Sequence, residues 1–111
     1  VRTDIENYEE AAAGQLLSVF ELQVSLQSRD YLHTASLSPE ERQQVNQLDQ
    51  EYLSRAAEVS GLIAEYGDAD SIFAEKPPQR WWWHIARIAS GQMSVDPSDR
   101  AVLYKGQTYK Y

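Results

Sequence analysis

The chain holds two histidines, and each stands four residues after an arginine: Arg29-Asp30-Tyr31-Leu32-His33 and Arg80-Trp81-Trp82-Trp83-His84. On a helix that spacing puts guanidinium and imidazole on one face. A fixed cation beside a group that can carry a proton could hold a phosphate and assist its hydrolysis. The second pair lies in the most unusual stretch of the sequence, Arg80 to Arg87, where three adjacent indoles are flanked by two guanidiniums. Indoles with cations suit single-stranded nucleic acid, which stacks its bases on aromatic rings. Trp and Arg are also the side chains enriched at the energetic centres of protein interfaces. Three chemistries are therefore open: phosphoester hydrolysis, nucleic-acid binding and protein binding.

Several other chemistries are closed. Cysteine is absent, which removes disulfides, thiolate metal sites and thiol nucleophiles. No Glu-x-x-His or His-Glu-x-x-His pair occurs, so the common helical metal motifs are missing. Asp68-Ala69-Asp70 opens like a calcium loop. However, Phe73 falls where that loop needs glycine and Gln79 where it needs a bidentate Glu. The glycines are scattered and make neither a phosphate-cradling loop nor a Gly-x-Ser-x-Gly elbow. The Arg-to-His spacing partly resembles the motif of the HEPN ribonucleases, but that motif uses a longer gap and the match fails. No residue is assigned a catalytic, metal or cofactor role, no cofactor is expected, and the chain is read as a non-enzyme. A phosphoester hydrolase working through the Arg/His pairs at His33 and His84 is the second alternative.

Charge decides between the remaining two. The net charge is −7 over 111 residues, but it is uneven. Residues 1–76 carry 5 basic and 15 acidic side chains, whereas residues 77–111 carry 5 basic and 2 acidic. The acidic part repels phosphates over a Debye length of about 8–10 Å, so a small nucleic-acid-binding regulator is the first alternative rather than the preferred reading. The basic, aromatic end suits an acidic protein surface, either on a different protein or on a second copy of the chain.

The elements that carry these residues read as helices. Apolar residues recur at three and four along Ile5, Tyr8, Ala12, Leu16, Val19, Leu22 and Leu26, which predicts one long helix. A second stripe through Ala13, Leu17, Phe20, Val24 and Tyr31 widens its buried face beyond what one partner helix covers. Gly14, inside it, fits either a close helix crossing or a break. Ser38-Pro39-Glu40-Glu41 is a capping box with proline at the first helical position. It starts a second helix whose C-terminal glycine is Gly67. The short connection makes residues 4–66 a long antiparallel hairpin. Residues 67–77 are a linker in which Asp70 could cap a short turn bearing Ile72 and Phe73. A third helix is expected over 78–91, and Asp96-Pro97 opens a short helix over 96–103. Residues 104–111 form an extended tail.

The sequence thus predicts an all-α chain: one domain over 1–111, a helical hairpin completed by a Trp-rich third helix and a short fourth. Neighbours on an α-helix point about 100° apart, so three successive tryptophans cannot all face one core. Trp83, between Arg80 and Arg87, is the one expected outside. The predicted partner-binding residues are Arg80, Trp82, Trp83, Arg87, Tyr104, Tyr109 and Tyr111. The expected function is a non-enzymatic interaction or adaptor module that binds a protein partner or itself as a homodimer. With no run of 18 apolar residues and no signal-peptide pattern, a cytoplasmic chain without a membrane partner is expected.

Overall fold

A computed structural model describes residues 1–15, 18–66, 73 and 75–111. The chain divides into two compact units, Val1–Arg55 and Ala56–Tyr111. Leu16 and Leu17 of the expected stripes lie outside the described residues. So do Gly67 and the Asp68–Asp70 and Ile72 features of the linker.

The first unit is three helices: α1 (Arg2–Ala13), α2 (Val19–Thr34) and α3 (Pro39–Ser54). The expected continuous first helix is broken. Gly14 leaves helical geometry at φ −90°, ψ −172° while its N–H still bonds the Glu9 and Glu10 carbonyls. A Cβ there would stand 2.9 Å from the Cα and carbonyl oxygen of Glu10. Ser18 restarts the helix from extended backbone, and its Oγ accepts from the Glu21 N–H at 3.2 Å. The break lets each half bury its own face. α1 contributes Ile5, Tyr8, Ala11 and Ala12; α2 contributes Val19, Leu22, Leu26 and Leu32. The second stripe is left outside, with Phe20 69%, Val24 54% and Tyr31 55% exposed.

The capping box of α3 forms in both directions. Glu41 N–H donates to Ser38 Oγ and Ser38 N–H donates to Glu41 Oε1. The Ser38 N–H, and after it the Ser38 hydroxyl, bond the Glu41 carboxyl and hold it below its usual range. α3 turns Val45, Leu48 and Tyr52 inward. It stops at Arg55, whose guanidinium donates to the Ala11 carbonyl at 3.0 Å and so satisfies one of the carbonyls a helix end leaves open.

The second unit corrects the all-α expectation. It holds α4 (Ala56–Glu65), a 3₁₀ segment (Pro78–His84) and α5 (Ile85–Ala89), followed by β1 (Met93–Asp96), β2 (Ala101–Tyr104) and β3 (Gln107–Lys110). The strands form an antiparallel sheet in the order β1-β2-β3, so the fold is α+β. Two turns account for the difference. Asp96 accepts from the N–H groups of Ser98 and Asp99 as a helix cap would. Arg100 then takes φ 52° and sends the chain back as β2 instead of continuing the expected helix over 96–103. Lys105 and Gly106 take φ 51° and 75°, the double positive φ of a two-residue hairpin turn. Val95 therefore pairs with Val102, and Val102 with Tyr109. Met93 and Val102 are buried on the inner face, and strand alternation puts Tyr104, Tyr109 and Tyr111 on that face too. Among the described residues, no helix is long and apolar enough to cross a membrane.

Candidate binding surface

The tryptophan run escapes the α-helical argument because it is not α-helical. A 3₁₀ turn has three residues, so successive side chains spread around the whole axis. The segment bends at Arg80 (φ −96°, ψ 56°). Trp81 and Trp82 are 0% exposed and Trp83 only 5%. Trp81 packs edge-on against Trp82 at 5.6 Å and against Tyr111 at 5.8 Å. Trp83 lies 5.4 Å from the Phe73 ring, and the Lys76 ammonium sits 4.9 Å over its face. Trp83, expected as an outward anchor, is a core residue covered by a lysine.

One member of each Arg/His pair, Arg29 and His84, is engaged otherwise. His84 is buried, with Nε2 2.7 Å from the Lys76 carbonyl and Nδ1 3.3 Å from an Arg87 nitrogen. A guanidinium only donates, so Nδ1 accepts and Nε2–H donates. This neutral tautomer ties the segment before the tryptophans to α5. Arg29, in the first unit, donates Nε to Asp49 Oδ1 at 2.9 Å and a terminal nitrogen to Oδ2 at 3.0 Å. Tyr8 adds a 2.6 Å bond from its hydroxyl to Oδ1. Burial, and then the Asp49 charge, push the Tyr8 phenol well above its ordinary value. The sequence reading placed Arg29 beside His33 and gave Asp49 no role. A lone Asp among the apolar positions Val45, Leu48 and Tyr52 was the available signal.

What remains on the surface of the second unit is a set of cations resting on rings. The Arg87 guanidinium and the Lys105 ammonium each lie 5.3 Å from the Tyr104 ring centre. Arg100 lies 5.5 Å from the Tyr111 ring. The Lys110 ammonium donates to the Asp99 carbonyl at 3.2 Å. Among the described residues, none of these four cations has a carboxylate within ion-pair distance. Of the predicted contact residues, Arg80, Arg87, Tyr104, Tyr109 and Tyr111 are half-buried, while Trp82 and Trp83 are inside. Lys105, Arg100 and Lys110 are exposed and were not among the predicted contacts. Their count as basic residues in an otherwise acidic chain was the signal.

The first unit shows the opposite character. A groove of about 930 Å³ along α1 and α3 is lined by four acids, Glu9, Glu40, Glu41 and Glu51, and one cation, Arg2, around Ile5 and Leu48. No protein-family model, curated protein or solved structure matches this chain.

Proposed function

We propose that the chain is a non-enzymatic binding module, an adaptor whose second unit holds an acidic protein surface. The observation that carries this reading is the Arg87–Tyr104–Lys105 stack, two cations on one ring with no described carboxylate beside them. Cations held on aromatic faces keep their position without being neutralised. They are pre-arranged for a carboxylate, and Tyr104 supplies apolar area next to the charge. Arg100 on Tyr111 repeats the unit. Buried Trp81 packs edge-on against Tyr111 and backs this second stack.

The test is a fluorescently labelled decaglutamate peptide titrated with the full chain. Binding should weaken as salt rises, because exposed charges are screened. The pair Arg87→Gln with Lys105→Asn should weaken it at least tenfold with an unchanged circular dichroism spectrum; Asn tolerates the positive φ at position 105. Equal binding by this variant would end the reading.

A second element is self-association. Phe20, Val24 and Tyr31 lie on one face of α2 and are all more than half exposed. A helix face of this kind packs on its own copy about a two-fold axis. The mass by light scattering should be that of a dimer, persist in high salt, and fall to the monomer for Val24→Glu.

A further inference from the structure

We infer that β3 is a docking edge that takes an extended acidic peptide as a fourth strand of the sheet. This rests on the cationic-surface reading above and names the form its ligand takes.

The hydrogen-bond parity of the hairpin fixes which groups face outward. The Tyr111 N–H donates to the Arg100 carbonyl at 3.0 Å. Tyr104 and Gln107 flank the two-residue turn as partners, and Val102 pairs with Tyr109. Residues 107, 109 and 111 therefore point their backbone groups at β2, and bonded and unbonded pairs alternate along an antiparallel ladder. The N–H and C=O of Thr108 and Lys110 point away from the sheet. Both residues are exposed, and β3 is a terminal strand. Two residues two apart on a free edge offer two donors and two acceptors, enough to pair with a short extended segment.

Charge selects the occupant. β3 and its flanks carry three cations, Lys105, Lys110 and Arg100, against one acid, Asp99. A second copy of β3 would bring a second set of the same cations to this edge, and like charges gathered across paired strands are unfavourable. Lysine on an edge strand is a common guard against such self-pairing. An incoming strand with carboxylates at alternate positions would meet Lys110 on one face and lie between Lys105 and Arg100 along its length. The other edge, β1, ends on Asp96 and lacks this complement.

The experiment uses the ¹⁵N-labelled full chain and two peptides of eight residues, one alternating Val and Glu and the other Val and Lys. The Glu peptide should bind, slow amide exchange at Thr108 and Lys110, and leave Tyr111 as it was; the Lys peptide should not bind. Thr108→Pro removes an outward N–H only, and proline is tolerated where the N–H leaves the ladder. It should lose at least tenfold in affinity, while Thr108→Ala keeps it. If Thr108→Pro binds like the native chain, or if exchange at Thr108 and Lys110 is not slowed on binding, the peptide is held by side chains and the edge inference falls while the cationic-surface reading stands. Failure of the native chain to bind this peptide also overturns the edge inference. Failure with decaglutamate as well takes the broader reading with it.

Discussion

Arg29 and Asp49 form a two-bond ion pair between α2 and α3, with both side chains 3% exposed. Tyr8 from α1 completes it, so one carboxylate joins all three helices of the first unit. Removing one member of a buried pair leaves the other charged, dry and unmatched, which costs about 3–5 kcal/mol. Arg29→Met should lower stability by that amount in urea unfolding. Arg29→Met combined with Asp49→Leu should cost clearly less than Arg29→Met alone, because no orphan charge remains. If the double variant costs the sum of the two singles, the pair is not acting as a coupled unit.

The same network sets an alkaline limit. Burial raises the phenols of both Tyr8 and Tyr52 above their ordinary value. A group whose folded-state value is raised stabilises fully below its unfolded value, about 10 for tyrosine, and loses that contribution as pH climbs toward the folded value. The urea midpoint should therefore be level through neutral pH and fall once pH passes about 10. Tyr8→Phe should flatten that fall, at the cost of one charge-assisted hydrogen bond, about 1.5–3 kcal/mol at neutral pH. Tyrosinate absorbance checks it: two tyrosines should ionise only as the chain unfolds.

The break between α1 and α2 is held from both sides. Gly14→Ala places a methyl against the Glu10 backbone and should cost about 1–3 kcal/mol. Ser18→Ala removes the cap of α2 and should cost about 1 kcal/mol. If Gly14→Ala is instead stabilising and helicity rises, the two helices prefer to fuse.

This break shows what was legible in the sequence and what was not. Ser18-Val19-Phe20-Glu21 has the same Ser-x-x-Glu spacing as the capping box at Ser38, and the Ser38 signal places the start of α3 correctly. At Ser18 the unbroken apolar period on either side masks it. The exposed second stripe follows from that one misreading. The sheet was hidden for a related reason: Asp96-Pro97 caps a turn with the same hydrogen bonds that cap a helix. Only Arg100 at positive φ separates the two outcomes, and a non-glycine residue gives little warning of that conformation. Lys105-Gly106 was the readable hairpin signal, flanked by alternating Val, Tyr and Thr. For the candidate surface, residue types and charge directed the reading to the C-terminal third, where Arg87 and Lys105 lie on the Tyr104 ring. Types and charge could not tell that all three tryptophans are buried, because that depends on a 3₁₀ geometry that the α-helical period does not describe.

Trp83 separates core packing from contact. It is closed in by Phe73 and the Lys76 ammonium, so Trp83→Ala empties a packed site. A buried aromatic cut to alanine costs about 3–5 kcal/mol, a large share of the roughly 5–15 kcal/mol that holds a domain together. Thermal unfolding should move down sharply. Trp83→Phe, which keeps a ring against Phe73, should recover most of the loss. Decaglutamate affinity, measured at a temperature where both variants remain folded, should stay within about twofold, since the Trp83 ring is buried against Phe73 and Lys76 and does not touch the ligand. A large loss of affinity in a folded Trp83→Phe chain would instead make Trp83 itself a contact residue.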